Sequence, residues 1–212
     1  MYSDITNISD ISVYGFMGNI GEGKNYIAEQ VFLPRMQELD NQPTIVMAFA
    51  DHFKIAAVSF DNLDYDKVFI TKDTQTRQKL QKLGTEQGRN KYGEDIWIKI
   101  VYNWIKLYAS RGIKRFIITD VRFENEVNFI KSINGTIIRV YAPDRNKIKL
   151  QQESKNDILI ESALKSHPSE VFIREFKDYN YFIDNKQNPK IDINNQINLI
   201  VNIEKLKNKM SR

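Results

Sequence analysis

Residues 12–25 have the sequence SVYGFMGNIGEGKN, and this stretch decides the fold. A short segment of β-branched and aromatic residues runs into a glycine-rich turn, and a helix-forming segment follows directly. Gly18 and Gly23 are five positions apart and Lys24 comes next, which matches the phosphate-loop pattern G-x-x-x-x-G-K. The glycines allow successive backbone N–H groups to face an anion, while the lysine and the helix N-terminus add positive charge. The stretch therefore predicts a nucleotide-binding protein.

The last position of the phosphate-loop pattern departs from the usual residue. Ser or Thr normally follows the lysine, and its hydroxyl ligates Mg²⁺. This chain has Asn25, which keeps a carbonyl oxygen as a weak ligand but has no hydroxyl. An ordinary glycine turn is the alternative interpretation, and the strand before the turn and the helix after it favour the phosphate loop.

Composition is typical of a globular α/β protein. The chain has 212 residues, of which 42% are hydrophobic and 27% charged, and we expect one domain over residues 1–212. A net charge of +4 suits nucleic acid or a substrate with several phosphates, but no block of Lys or Arg favours direct nucleic-acid binding. The absence of cysteine excludes disulfides and thiolate metal sites. A polar, acidic N-terminus and the lack of an apolar run of about 18 residues predict a soluble, cytoplasmic protein.

Apolar runs alternate with helical periodicity along the chain, as in α/β proteins. The predicted strands cover residues 11–17, 44–49, 116–120, 136–141 and 181–184. The predicted helices cover residues 23–40, 51–58, 75–91, a segment from Asp95 to Tyr108, 122–133 and a closing segment from Ile193 to Leu206. The remaining long segments, 59–74 and 143–172, are polar. This order predicts a mostly parallel sheet that binds ligands at the carboxyl ends of its strands.

Two charged residues lie at and just after the end of the third predicted strand. An acidic residue at the end of a buried strand, together with a phosphate loop, is typical of a Walker B aspartate that holds Mg²⁺. Asp120 occupies this position, and the alternative is that it caps the following helix. Arg122 could neutralise phosphate charge in the transition state, or it could be an ordinary surface arginine.

The helix pair over residues 75–108 has a polar face and an apolar stripe. Arg77, Gln81 and Thr85 recur at intervals of four residues, so they share one face of a helix. The alternative is a face that is merely solvated. Trp97 begins the apolar stripe of the second helix, and core packing is the alternative to a binding role. His52 and His167 are far apart in sequence, so we expect neither a histidine metal pair nor a histidine-based triad.

The order of these motifs resembles that of the deoxynucleoside monophosphate kinases of phages and large DNA viruses. After the phosphate loop come FADHFK at 49–54, LQKLGTEQGR at 80–89, DIW at 95–97, DVRFENE at 120–126, SHPSE at 166–170 and DN at 184–185. The combination is specific, and the resemblance covers roughly residues 12–205. It implies a P-loop NTPase fold, with a mostly parallel sheet flanked by helices, a helical substrate-binding segment at about 51–110 and a lid at about 143–172.

The resemblance also implies an activity: ATP-dependent, Mg²⁺-dependent phosphorylation of deoxynucleoside 5′-monophosphates to diphosphates. It places one set of residues on the ATP phosphates: Gly18, Asn19, Gly21, Glu22, Gly23, Lys24 and Asn25. It places a second set at the acceptor: Asp51, Lys54, Arg77, Gln81, Gly84, Thr85, Arg89 and Trp97. Asp120, Arg122 and Glu126 would lie at the junction of donor and acceptor, and Arg145, Glu170 and Arg174 would belong to the lid.

Within these sets, the implied catalytic residues are Lys24, Asp120 and Arg122, and the implied metal ligands are Asn25 and Asp120. The expected partners are ATP and deoxynucleoside monophosphates, without membrane or nucleic acid, and with a homodimer as a further expectation. Two alternatives stay open at this point. One is another small-molecule P-loop kinase, such as a phosphomevalonate or dephospho-coenzyme A kinase. The other is a nucleotide-binding protein with impaired catalysis or a nucleic-acid-binding module, which Asn25 keeps in consideration.

Overall fold

The computed structural model describes residues 11–71, 74–186 and 192–210, with the backbone alone at 74 and 208–210. The predicted polar N-terminus and residues 72–73 of the predicted 59–74 connection lie outside these ranges. The chain forms two compact units. Met1–Val46 together with Gly112–Arg212 make up the first, which we call the sheet unit, and Met47–Arg111 make up the second, which we call the helical unit.

A five-stranded sheet has the order β2-β3-β1-β4-β5. The strands are β1 Ser12–Met17, β2 Thr44–Met47, β3 Arg115–Val121, β4 Thr136–Tyr141 and β5 Tyr181–Asp184. The central strand, β1, pairs in parallel with β3 and with β4, and β4 pairs in parallel with β5. Crossover helices connect the strands, which parallel pairing requires. The predicted α/β class with a parallel sheet is confirmed.

The helices agree with the predicted periodicity, with two additions. They are α1 over residues 24–40, α2 Asp51–Phe60, α3 over residues 74–92, α4 Ile96–Ser110, α5 Glu124–Ser132, α6 Pro143–Ser154, α7 Ile158–Ser166, α8 Pro168–Glu175 and α9 Ile193–Met210. The predicted polar connection 59–74 contains a π-helical turn, Lys67–Thr71. Its buried Val68 is part of the apolar core of the helical unit. The polar segment 143–172, for which the resemblance implies a lid, folds into helices α6 to α8.

The core of the sheet unit lies between the sheet and helices α1 and α9. Aromatic rings from β1 and α1 pack edge to face, with Phe32 5.1 Å from Tyr14 and 5.3 Å from Phe16 between ring centroids. Glu204 of α9 accepts hydrogen bonds from the hydroxyls of Tyr14 (3.3 Å) and Tyr181 (2.7 Å), which ties the last helix to two strands. Burial raises the pKa of Tyr14, so its hydroxyl stays a donor. Among the described helices, none is both long and apolar enough to cross a bilayer.

Gly135 marks the point where the chain turns from α5 into β4, and nothing larger fits there. A Cβ at this position would lie 2.8 Å from the carbonyl oxygen of Ile130 and 3.1 Å from that of Val13. We expect Gly135→Ala to lower the free energy of unfolding by about 3 kcal/mol, near the top of the range for overpacking, because a backbone carbonyl cannot move aside. Urea denaturation measures this loss.

Gly112→Ala is the matched control for Gly135→Ala. Its Cβ would meet no atom within 4 Å, although the residue has a φ of +91°. It should therefore cost only the strain of a left-handed backbone, about 1 kcal/mol. A loss at Gly135 no larger than the loss at Gly112 would contradict the packing argument.

Candidate functional site

The phosphate loop joins the end of β1 to the start of α1 at Lys24. Gly21 and Gly23 have φ values of 79° and 88°, which glycine adopts without the steric cost of a side chain. A Cβ on Gly23 would also lie 2.6 Å from the side-chain nitrogen of Asn185. The same Cβ would lie 3.5 Å from the guanidinium of Arg145, so this predicted lid residue packs over the loop. Backbone conformation and close packing both require glycine here.

Glu22 is a loop residue whose side chain points into the protein, where it is 2% exposed. Its carboxylate accepts hydrogen bonds from the backbone N–H of Asn19 (2.6 Å) and from the backbone N–H of Ala142 (3.2 Å). It also forms a salt bridge with the guanidinium of Arg139, whose side chain is 5% exposed. The carboxylate therefore connects the beginning of the loop to the end of β4.

Other side chains fix the same loop from three directions. Arg139 donates from Nη2 to the side-chain oxygen of Asn19 at 3.0 Å. Asn185, directly after β5, donates to the carbonyl of Glu22 at 2.7 Å, and Asn146 of α6 donates to the carbonyl of Ile20 at 2.7 Å. The polar groups that the loop buries are thereby satisfied, which keeps the loop in one conformation.

Glu170 of α8 contacts the loop on another side. Its carboxylate accepts from the side-chain N–H of Asn19 (2.8 Å) and from the backbone N–H of Ile20 (3.1 Å). It also pairs with the guanidinium of Arg122 at 3.9 Å. The structure thus brings together two predicted lid residues, Arg145 and Glu170, at the loop, whereas Arg174 lies exposed near the end of α8.

Lys24 is buried at the start of α1, and its environment shifts its titration. Burial lowers the pKa of the ammonium from 10.5 to about 7, and the nearby positive charge of Arg122 adds to this effect. Glu170, Asp120 and Glu22 oppose it. Near neutral pH the lysine therefore exists in both protonation states, and an anion that arrives in the loop would favour the charged one.

Asp120 lies within β3, one residue before its end. The residue that caps α5 is Phe123, so the alternative interpretation of Asp120 as that cap is not supported. Glu126 is buried, and its carboxylate accepts from the backbone N–H groups of Arg122 (2.7 Å) and Phe123 (3.1 Å). It shapes the turn from which the half-exposed side chain of Arg122 extends, and its predicted place at the donor–acceptor junction stays a prediction.

The chemistry of Asn25 and Asp120 fits a magnesium ion. Carboxylate and amide oxygens are ligands for Mg²⁺, which commonly uses one or two carboxylates together with phosphate oxygens and waters. The exposed side chain of Asn25 donates its N–H to Glu29 at 3.4 Å, which leaves its oxygen as the ligand atom. In the described parts of the chain, no group of three or more His, Asp or Glu side chains forms a metal site by itself.

In the helical unit, Trp97 is part of the core. Its ring N–H donates to the carbonyl of Gly84 at 2.9 Å, and its ring lies 4.9 Å from that of Phe53. A Cβ on Gly88 would lie 2.1 Å from the indole, so α3 needs glycine to accommodate the ring. The side chain also lines a cavity, so its place in the core is compatible with the predicted binding role.

That cavity has a volume of about 310 Å³ and is mainly apolar. Its lining residues come from helices α2, α3 and α4: His52, Phe53, Ala56, Ala57, Phe60, Asp61, Leu83, Gln87, Tyr92, Ile96, Trp97 and Ile100. Of the residues predicted for the acceptor, only Trp97 is among them. Asp51 and Lys54 form a pair at 3.8 Å in the first turn of α2, where Asp51 also accepts from the N–H of Ala48 at 2.7 Å.

α3 carries the predicted polar face and changes helix type along its length. The helix is α-helical over Thr74–Lys82 and π-helical over Leu83–Arg89. A spacing of four residues stays close to one face in both helix types, as the buried Gly84 and Gly88 show. Gln81 and Thr85 are exposed, Arg77 and Arg89 are half-buried, and none of the four lines the cavity. Their roles at the acceptor stay predictions.

Comparison with known proteins identifies the family. The family model described as deoxynucleotide monophosphate kinase matches residues 24–178. The chain belongs to the deoxynucleotide monophosphate kinase family. A protein of Acanthamoeba polyphaga mimivirus whose name places it among the deoxynucleotide monophosphate kinases is 27% identical over 193 residues, covering 82% of this chain and 88% of that protein. The resemblance inferred from the motifs is confirmed.

Solved structures share the fold of this kinase-family chain. TT1252 from Thermus thermophilus superposes with a TM-score of 0.53 at 14% identity, covering 92% of this chain and 98% of that one. A dephospho-CoA kinase from Campylobacter jejuni superposes with a TM-score of 0.50 at 15% identity, covering 93% and 98%. At these identities the likeness concerns the fold, which is that of P-loop kinases.

Sequence reasoning missed three residues that hold the phosphate loop of this kinase-family chain: Arg139, Asn146 and Asn185. Arg139 had a detectable signal, since it lies within TIIRVY at 136–141, an otherwise apolar strand. A charged residue in such a strand needs a buried partner. Asn185 was noted only as part of the DN motif at 184–185, without a role, and Asn146 had no signal, because their partners are loop carbonyls distant in sequence.

We expect Lys24→Met to be more stable than the wild type by about 4 kcal/mol near pH 6.5, because folding then no longer buries an ammonium group. The folded-state pKa is about 7 against 10.5 for an ordinary lysine, so the unfolded chain binds more protons between these values. Wild-type stability should therefore rise with pH in this window, and the advantage of Lys24→Met should shrink. Urea denaturation at pH 6.5 and 9.5 measures both, and an equal difference at the two pH values would contradict the shift.

Proposed function

We propose that this protein transfers the γ-phosphoryl group of ATP to deoxynucleoside 5′-monophosphates, which yields diphosphates for DNA precursor supply. The observation that supports this most directly is the phosphate loop: its glycines have the required backbone, and Lys24 is buried beside it. Membership of the deoxynucleotide monophosphate kinase family supports the choice of acceptor. A cytoplasmic location, a homodimer and the absence of nucleic-acid binding stay predictions.

On the donor side, charge neutralisation is the main contribution of the chain. Phosphoryl transfer depends on positioning and on stabilisation of charge on the transferred group more than on a strong base. Lys24 takes up a proton as the phosphates bind, and Arg122 supplies a second positive charge once the phosphates compete with Glu170 for it. Asp120 and the amide oxygen of Asn25 would hold Mg²⁺, which would supply positive charge to the phosphates.

On the acceptor side, the cavity of the helical unit binds the nucleobase. Its volume of about 310 Å³ is at the lower end of the range for small-ligand pockets. The rings of Phe53, Tyr92 and Trp97 offer stacking surfaces, and Gln87 and Asp61 offer hydrogen-bonding groups. Base stacking on an aromatic ring contributes about 1–3 kcal/mol. The aromatic walls of the cavity therefore supply affinity for the base, and its few polar groups select which base binds.

The decisive experiment is ADP formation from ATP with a panel of the four deoxynucleoside monophosphates. We expect turnover with at least one of them and a loss of about 100-fold or more in Lys24→Met, since a preorganised charge on the phosphates is removed. Phosphomevalonate and dephospho-coenzyme A are included as other acceptors. Turnover with one of these alone would replace the proposal by the corresponding kinase, and ATP binding without any turnover would indicate impaired catalysis.

A second experiment tests the acceptor cavity through its tryptophan. The chain has two tryptophans, and Trp104 is 41% exposed on the same helix as Trp97. In a Trp104→Phe variant, we expect the fluorescence of Trp97 to change on titration with an accepted monophosphate. Trp97→Phe should raise the KM for the acceptor about threefold or more while the KM for ATP stays within twofold, because part of the stacking surface is lost.

Trp104→Phe also serves as the kinetic control for Trp97→Phe. It removes a tryptophan from α4 without changing the cavity, so both KM values should stay near those of the wild type. A Trp97 signal that no monophosphate moves, with acceptor KM unchanged in Trp97→Phe, would exclude the cavity as the base site.

A further inference from the structure

The phosphate loop of this chain contains a carboxylate where an anion has to bind. Glu22 stands directly before Gly23 and Lys24, in the segment that faces the phosphates in the pattern. A solvent-facing carboxylate here would repel them, since like charges at a few ångströms interact by several kcal/mol at the dielectric of a protein surface. The structure avoids this repulsion, because the side chain of Glu22 turns away from solvent and is 2% exposed.

Burial of that carboxylate requires compensation, and all of it comes from groups that shape the loop. One oxygen of Glu22 accepts from the N–H of Asn19 and from the guanidinium of Arg139, and the other accepts from the N–H of Ala142. The second guanidinium nitrogen of Arg139 donates to the side chain of Asn19. Arg139 therefore contacts both ends of the loop at once, through Glu22 and through Asn19.

We propose that Glu22 and Arg139 are a pair of positioning residues that hold the phosphate loop in its nucleotide-binding form before the nucleotide arrives. The proposal rests on the proposed function in one respect, namely that the nucleotide is ATP. Neither side chain has to touch ATP. The pair acts by fixing Asn19 relative to the end of the loop.

The energetics favour positioning over stability as the role of the pair. A buried ion pair adds little net stability, because the cost of desolvating both charges offsets their attraction. A loop that is already ordered loses less conformational entropy on binding, so its affinity for ligand is higher. Misplacement of loop groups by about 1 Å can cost up to 100-fold in rate. The pair should therefore affect ATP binding more than unfolding.

Two variants test this role. Arg139→Lys keeps the positive charge but replaces the planar fork of two donor nitrogens by one flexible ammonium, so Glu22 and Asn19 are no longer held in a fixed geometry. Glu22→Gln with Arg139→Met removes both charges and leaves no buried ion without a partner. We expect both variants to melt within a few degrees of the wild type and to bind ATP about tenfold more weakly by calorimetry. The KM for the acceptor should stay within twofold.

A second ion pair in the same unit provides a control. Arg115 at the start of β3 is 1% exposed in its side chain and pairs with Asp40, which is 30% exposed, at 2.5 Å. The pair lies near the start of β1, at the opposite end of that strand from the phosphate loop. Asp40→Asn with Arg115→Met removes this pair, and its affinity for ATP should equal that of the wild type.

Hydrogen exchange of the unmodified protein gives a test that needs no variant. The backbone N–H of Asn19 donates to buried Glu22, so in the absence of nucleotide it should exchange as slowly as the N–H groups of β1. Fast exchange at Asn19, or an ATP affinity in Arg139→Lys within twofold of the wild type, would overturn the proposal. If the wild type itself binds no ATP, the proposed function fails instead, and the two failures are thereby distinguished.

Discussion

A phosphate loop has to satisfy two opposing demands on its backbone. Some of its N–H groups must remain directed at an incoming anion, while every other polar group that the loop buries must find a partner in the protein. In this chain the second demand is met by side chains from β4, α6, α8 and the segment after β5: Arg139, Asn146, Glu170 and Asn185. The nucleotide site is therefore a product of the whole sheet unit, although its motif is a short continuous stretch.

The packing around the loop also buries Lys24, and this burial lowers the pKa of its ammonium group. Around the loop, the charges of Glu22, Glu170 and Asp120 oppose the effect of desolvation on the lysine, and that of Arg122 adds to it. A highly charged ligand in the loop would favour the charged form of Lys24 and would compete with Glu170 for Arg122.

In the helical unit one aromatic residue, Trp97, belongs to the core and also lines a cavity. Trp97 is fixed by its hydrogen bond to Gly84 and by contact with Gly88 and Phe53. A ring held in this way loses little freedom when a ligand contacts it, which favours rigid aromatic residues in binding sites. From the sequence, a core position and a pocket position are alternatives for Trp97. In the structure the residue occupies both.

Local patterns in the sequence determined the fold class, the phosphate loop and most helices and strands. These depend on interactions between near neighbours: alternation of apolar residues, glycines at turns, and a lysine at a helix start. Tertiary structure alone decided which partners satisfy buried charges. Arg139 and Glu22 are 117 positions apart, and no local rule connects them.

The same difference between local and tertiary interactions applies to the acceptor residues predicted on α3. Arg77, Gln81 and Thr85 were grouped by the helical repeat, which does not say which face of the helix meets the cavity. α3 is π-helical from Leu83, where Gly84 and Gly88 receive the Trp97 ring. The helix type at that point depends on tertiary packing, because the ring of Trp97 and the two glycines have to fit together. Sequence determined that a helix lies there, and packing decided which of its side chains face the cavity, because facing depends on neighbours that are distant along the chain.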